Sequence, residues 1–306
     1  MKIEILEGLI PATFTPMHQD GSLNIDAIDA YYEMLCRNGI KTIFICGTTG
    51  EGELLTFEER KLIAEKWLNI SKNNDAFKVI TVVGSNRITE AIELAKHAEA
   101  HGSYGISYIA PYYYKPATID ALVDCCVRIS EAVPNLPFYY YHIPILTSVK
   151  FPMIDFLIVA KARIKNLAGV KYSDEDLVDY SKCLAFENGA FNVFWGKDET
   201  LVSALSMGAK AAIGSTYNYM SPLYDDILSA YYSNDNQRAK LLQWKSVQIV
   251  NLLNKYTGLS TGKYFMKTLG INCGPSRNPL RNLTEKEIEL LDKDLSAVDF
   301  SKFSMK

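Results

Sequence analysis

"NLAGVKYSDEDL", residues 166–177, is a short apolar run, Leu167 to Val170, that meets Lys171 and passes into an acidic segment resembling a helix start. A lysine is costly to desolvate, so its place at the end of a buried strand needs a reason. A charged strand end is ordinary at a solvent face. At the mouth of a cavity it can be the chemistry itself. The stretch reads as one strand-then-helix unit, and the fold depends on whether that unit recurs.

Working outward, short apolar runs do recur. The candidates before Lys171 are "GLIPATFT" from Gly8, "KTIFICG" from Lys41, "KVITVVG" from Lys78, "YGISYIAP" from Tyr104 and "PFYYYHI" from Pro137. After "LAGVKY" come "NVFWG" from Asn192 and "KAAIGS" from Lys210. Most are rich in β-branched or aromatic residues and lack clean alternation, which suits strands covered on both faces. Helical patterns lie between them. Ile25, Ile28, Tyr32 and Leu35 share a face, and Thr56 followed by Glu59 forms a capping-box pattern. Glycines just past a helix, at Gly39, Gly102 and Gly208, mark a repeated helix-to-strand joint.

Eight strands with intervening helices, in units of about thirty residues, predict a (β/α)8 TIM barrel, a fold of about 250 residues. A doubly wound open sheet is the structural competitor. The barrel is expected over residues 1–220, through the eighth strand. Residues 221–306 hold the last barrel helix and an additional C-terminal helical segment, packed as part of one domain. In such a barrel, the C-terminal strand ends carry function, and Lys171 is at one.

Composition removes several function classes. The chain has 306 residues, 48% hydrophobic and 22% charged, with a net charge of -3. That balance is globular and argues against a nucleic-acid surface. The opening "MKIEILEGLIPATFTP" has acids within its apolar run and no small-residue cleavage site, unlike a signal peptide. No apolar run approaches the roughly 20 residues of a membrane helix. The six cysteines are scattered without a CxxC pair, as expected of reduced thiols in a cytoplasmic protein.

Several motifs fall on the same expected rim. "GTTGEGE", Gly47 to Glu53, has neither common phosphate-loop order, but Thr48 and Thr49 offer hydroxyls and amides near a turn. They form a nest for a small carboxylate, or else a plain Gly-rich connection. In "PFYYYHIP", Tyr139 and Tyr141 share one strand face and Tyr140 takes the other, so Tyr141 can enter the barrel mouth. "WGKDE" brings Asp198 and Glu199, which either favour a helix dipole or bind sugar hydroxyls. "GSTYN" supplies small and amide side chains suited to a polyol. "PYYYKP", Pro111 to Pro116, places three tyrosines in a loop, as an interface element would. His97 and His101 are one helical turn apart in "HAEAH", without the HExxH order, and read as a solvated helix face.

Together "TPMHQDGSLN", "GTTGEG", "PYYYKP", "YYHIP", "GVKYSD", "GKDE" and "GSTYN" resemble the dihydrodipicolinate synthase/N-acetylneuraminate lyase family over essentially the whole chain. "GTTGE" and the tyrosine-then-lysine pair belong to the superfamily, whereas "GKDE" with "GSTYN" is closer to the lyase subgroup. The resemblance implies that Lys171 forms a Schiff base with a 2-oxo acid and that Tyr141 assists proton transfer. It implies that Thr48 and Thr49 hold the carboxylate, and that Ser173 takes the place of a threonine found in some lyases. Gly196, Asp198, Glu199 and Ser215 match positions contacting the sugar chain. Tyr113 matches a tyrosine reaching toward a neighbouring subunit's site, in a family commonly assembled as a homotetramer.

The implied chemistry fits these residue types. Breaking a carbon–carbon bond beside a carbinol requires an electron sink, and a lysine imine accepts the electrons as an enamine. Desolvation favours the free amine of lysine in general, and a tyrosine hydroxyl can relay the carbinol proton. No metal or other cofactor is expected. The leading expectation is cleavage of a sialic acid to pyruvate and an N-acetylated sugar. The enzyme alternative is a dihydrodipicolinate synthase; a non-catalytic ligand-binding barrel is the reading from another class. The synthase branch carries an arginine two positions after the proline of its tyrosine motif, where this chain has Leu146.

Overall fold

The computed structural model describes residues 3–306. Its strands are β1 (Gly8–Pro11), β2 (Thr42–Ile45), β3 (Lys78–Val82), β4 (Gly105–Ile109), β5 (Phe138–His142), β6 (Leu167–Tyr172), β7 (Asn192–Trp195) and β8 (Ala211–Gly214). They form one eight-stranded sheet in the order β1-β8-β7-β6-β5-β4-β3-β2, with every paired neighbour parallel. A parallel bridge between Ala12 and Phe44 brings β1 to β2 and closes the ring. This is the expected barrel, and the open doubly wound sheet is excluded.

Helices α1 (Ala27–Arg37), α2 (Phe57–Ser71), α3 (Ile88–Ala100), α4 (Ile119–Ser130), α5 (Pro144–Thr147), α6 (Met153–Arg163), α7 (Leu177–Ala185) and α8 (Leu201–Ser206) fall between the strands. After β8 come α9 (Tyr217–Tyr232), α10 (Asn236–Lys255), α11 (Leu259–Thr268), α12 (Glu285–Ala297) and α13 (Phe300–Phe303). The last barrel helix therefore starts at Tyr217, ahead of the division expected after residue 220, because the turn leaving β8 is only two residues long. Among the described residues, no helix is long and apolar enough to cross a membrane.

The strands are short and buried on both faces, which is why their sequences do not alternate. Tyr140 points outward onto Phe156 of α6, with ring centroids 4.6 Å apart. Its neighbours point inward: Tyr139 lies 5.3 Å from Phe194 of β7, and Tyr141 lies 5.6 Å from Phe44 of β2. The expected division of the three tyrosines between the two faces is thus observed.

One irregularity fixes the geometry of the barrel mouth. Along β5 and β6, Phe138 pairs with Leu167 but Tyr139 pairs with Gly169, so Ala168 is skipped. This bulge shifts the later pairs by one residue and sets Lys171 opposite Tyr141. Without it, Val170 would stand there and the two side chains would leave the strands at different heights. Gly169 makes the arrangement possible, because a Cβ at that position would lie 1.9 Å from the Asn192 carbonyl oxygen on β7.

Candidate active site

The C-terminal ends of β5, β6, β7 and β8 surround a cleft of about 440 Å³. Its lining includes Thr49, Tyr141, Lys171, Ser173, Gly196, Asp198, Glu199 and Ser215, residues that the sequence had placed on one rim. A cavity of about 490 Å³ at the other end of the barrel is bordered by Lys72, Lys78 and Tyr104. It lies by the N-terminal ends of β3 and β4, where barrel enzymes do not place their chemistry.

Lys171 is 4% exposed. Its Nζ lies 4.1 Å from the ring centroid of Tyr141 and 4.5 Å from that of Phe44, so two aromatic faces form its bed. The other deeply buried lysine, Lys263, meets the Glu51 carboxylate at 2.5 Å and donates to the Pro275 carbonyl at 2.8 Å. Among the described residues, the Lys171 amine has no such ion pair or hydrogen bond. A buried amine held by ring faces and otherwise uncommitted is suited to react.

Tyr141 extends the arrangement toward β2. Its hydroxyl lies 3.3 Å from Thr48 Oγ1, within hydrogen-bonding distance. The turn after β2 is held by bonds from Glu51 N to the Thr48 carbonyl and from Gly52 N to the Gly47 carbonyl. Among the described residues, the Thr48 and Thr49 amides have no partner in the chain. Two adjacent N–H groups without internal acceptors can receive a carboxylate; Thr49 lines the cleft with Lys171, whereas Thr48 does not line it and meets Tyr141 instead.

The β7 and β8 ends form the opposite wall. Asp198 is buried, with Oδ2 accepting from the Thr216 amide at 2.9 Å and lying 2.6 Å from Thr216 Oγ1. Burial raises its carboxyl pKa above the usual range, against the lowering effect of those hydrogen bonds. Thr216 Oγ1 also lies 2.7 Å from the Tyr224 hydroxyl, which reaches Ser246 Oγ at 2.8 Å. Asp198 is therefore a fixed part of the wall, whereas Glu199 is half-buried at the cleft surface. The two acids adjacent in sequence have separated roles.

Two glycines permit this close packing. A Cβ at Gly214 would fall 1.6 Å from Asp198 Oδ1, and one at Gly196 would fall 2.0 Å from Ser173 Oγ. Gly196 thus belongs to the cleft as expected, for reasons of space.

The sequence reading missed several lining residues. Thr216 was hidden inside "GSTYN", where only Ser215 stood out. Val250 and Leu253 come from α10, so the additional C-terminal helical segment contributes to the cleft. Asp174 also lines the cleft, and its Oδ2 lies 3.4 Å from Nε2 of the buried His142. Burial lowers the His142 pKa, opposed by the Asp174 charge, and so favours its neutral imidazole. Tyr113 is 72% exposed and does not line this chain's own cleft. Its amide and that of Tyr112 donate to Asn86 Oδ1, which braces the loop and leaves the rings of Tyr113 and Tyr114 facing out.

Residues 5–298 match the Dihydrodipicolinate synthetase family. The chain belongs to that family. This family member is 39% identical over 304 residues to the N-acetylneuraminate lyase of Pongo abelii, covering 98% of this chain and 94% of that protein. It is 40% identical over 280 residues to N-acetylneuraminate lyase A of Xenopus laevis, covering 90% of each. Among solved structures, the Proteus mirabilis N-acetylneuraminate lyase superposes with a TM-score of 0.94 at 35% identity, over 97% of this chain and 100% of that one.

Proposed function

We propose that this protein is a Schiff-base aldolase that cleaves N-acetylneuraminate reversibly to N-acetyl-D-mannosamine and pyruvate. The observation that carries this reading is the buried Lys171 amine beside Tyr141, which, like the Thr48 and Thr49 amides, has no partner among the described residues. The full-length similarity to N-acetylneuraminate lyases agrees with it.

In this reading, the Thr48 and Thr49 amides receive the substrate carboxylate, and Lys171 Nζ attacks the C2 ketone with loss of water. The resulting protonated imine withdraws electrons as the C3–C4 bond breaks. The C4 hydroxyl proton leaves through Tyr141, and the new C4 carbonyl departs as the sugar aldehyde. The enamine takes a proton at C3, and water then releases pyruvate and the lysine. Glu199, Asp198, Ser173 and Ser215 meet the sugar hydroxyls, with Gly196 keeping the floor low.

A synthase that condenses pyruvate with aspartate semialdehyde needs a cation for the second carboxylate. Leu146 occupies the position expected for that arginine and points to solvent, and no arginine lines the cleft among the described residues. A carboxylate deprived of its charged partner loses about 1.5–3 kcal/mol. The wall acids Asp198 and Glu199 would repel it further. Tyr113 completes a neighbouring subunit's site in a homotetramer, a role that accounts for its exposure. The enzyme works in the cytoplasm and needs no metal for turnover, because the imine is the electron sink.

Pyruvate and borohydride together should add one covalent adduct at Lys171, and Lys171→Ala should abolish both adduct and cleavage. Pyruvate should be released from N-acetylneuraminate, also after dialysis against a chelator, with little or no condensation of aspartate semialdehyde. An adduct on another lysine, or efficient semialdehyde condensation, would overturn the assignment.

A further inference from the structure

His97 departs from the solvated face expected of the pair, whereas His101 is exposed as expected. The His97 side chain is only 11% exposed, and its Nε2 contacts Glu65 Oε1 of α2 at 2.7 Å. His101, the residue capping α3, presents its Nε2 to the same oxygen at 3.8 Å. The two imidazole rings lie 4.2 Å apart, tilted by 34°. One ligand atom from each of the three side chains falls within 4.8 Å of the others.

His101 is oriented by a backbone contact. Its Nδ1 lies 2.9 Å from the His97 carbonyl oxygen, which can only accept, so Nδ1 carries the proton. His101 Nε2 faces the same Glu65 carboxylate oxygen at 3.8 Å, beyond hydrogen-bonding distance. A cation between them would satisfy both. Tetrahedral zinc, with bonds of 2.0–2.1 Å, spaces its ligand atoms roughly 3.3 Å apart. The two nitrogen–oxygen distances, 2.7 and 3.8 Å, bracket that spacing. The His101 backbone contact also resembles the outer hydrogen bond that orients metal-bound imidazoles.

We propose that Glu65, His97 and His101 form a binding site for one Zn²⁺ ion, which ties α2 to α3 on the outside of the barrel. Water fills the fourth position. Each imidazole binds through Nε2 and Glu65 through Oε1, and any proton on a ligating nitrogen passes to solvent. None of the three residues lines the cleft at Lys171, so the ion is separate from the carbon–carbon bond chemistry.

The test is calorimetric titration of Zn²⁺ into untagged, chelator-treated protein kept reduced by a phosphine. One equivalent per chain should bind, and thermal unfolding should shift upward with zinc concentration. His101→Ala and, separately, Glu65→Gln should weaken binding by about tenfold or more. Both should keep the far-ultraviolet circular dichroism and the Lys171 adduct of the parent, showing that they fold. No binding by the parent, or unaltered binding in both folded variants, would overturn the proposal.

Discussion

At the scale of the residue, the site depends on what surrounds a single amine. Tyr141 touches that amine through its ring and Thr48 through its hydroxyl, so Tyr141→Phe separates the two contributions. The ring bed for Lys171 remains in the variant, and the 3.3 Å contact with Thr48 Oγ1 is lost. Steady-state cleavage should fall by about 10²-fold or more, with borohydride trapping of pyruvate retained. Turnover near that of the parent would make Tyr141 a packing residue. The rim positions of Lys171 and Tyr141 are legible from residue type and strand-end position. The threonine pair reads equally as a Gly-rich connection and is singled out only by the family resemblance. Thr216 was not legible. Its importance comes from its position 2.9 Å from the buried Asp198, and local spacing does not encode that contact.

At the scale of the element, the bulge at Ala168 was likewise illegible, although it decides which β6 side chain faces Tyr141. Apolar runs show that a strand exists, but a one-residue shift against its neighbour leaves no mark in them. Its testable point is Gly169. Gly169→Ala would drive a methyl into the Asn192 carbonyl, and the atoms there are backbone that cannot swing aside. The cost should be about 1–3 kcal/mol in urea unfolding, with loss of adduct formation as Lys171 is displaced. A variant of unchanged stability would show that β6 and β7 can separate cheaply.

The capping box on α2, by contrast, was visible and is present: Thr56 Oγ1 accepts from Glu59 N, and Glu59 Oε2 accepts from Thr56 N. The sequence could not reveal that Glu59 also holds Arg277, which in turn donates to the Gly21 and Leu54 carbonyls. The Arg277 hydrogen bond lowers the Glu59 carboxyl from 4.5 to about 2. The folded state thus favours the ionised carboxylate, and this stabilisation is complete above the unfolded value of 4.5. It fades as pH falls toward about 2, because the unfolded chain takes up the proton first. Glu59→Gln should therefore lower the urea midpoint at pH 7, and the gap from the parent should narrow in acid. A gap that does not change with pH would assign the effect to helix capping alone.

At the scale of the whole molecule, the tail is tied into the barrel mouth. The sequence presented it as helices beyond what a barrel needs, and only contacts distant in sequence reveal its use. Lys263 of α11 meets Glu51, which closes the turn after β2 and whose Oε2 also accepts from Arg277 N. Both side chains of the ion pair are essentially inaccessible to solvent, at 1% and 0%. Lys263→Met should therefore leave an uncompensated buried carboxylate and cost about 3–5 kcal/mol. A double variant with Glu51→Met should recover much of that loss. Single-variant stability equal to the parent would show that water reaches the pair.

The ring's joints are unequal. Four residue pairs join β1 to β8, yet a single pair joins β7 to β8 and a single bridge joins β1 to β2. β1 opens the barrel and β8 ends it, so the ladder between them joins segments about two hundred residues apart. On the ribosome, the arc from β2 to β7 can assemble while its last partner is still unmade. During that interval the first strand has no ladder to enter, and its apolar face is exposed to any other chain that offers an edge. The β1–β8 ladder can therefore close only once residues 211–214 have been made.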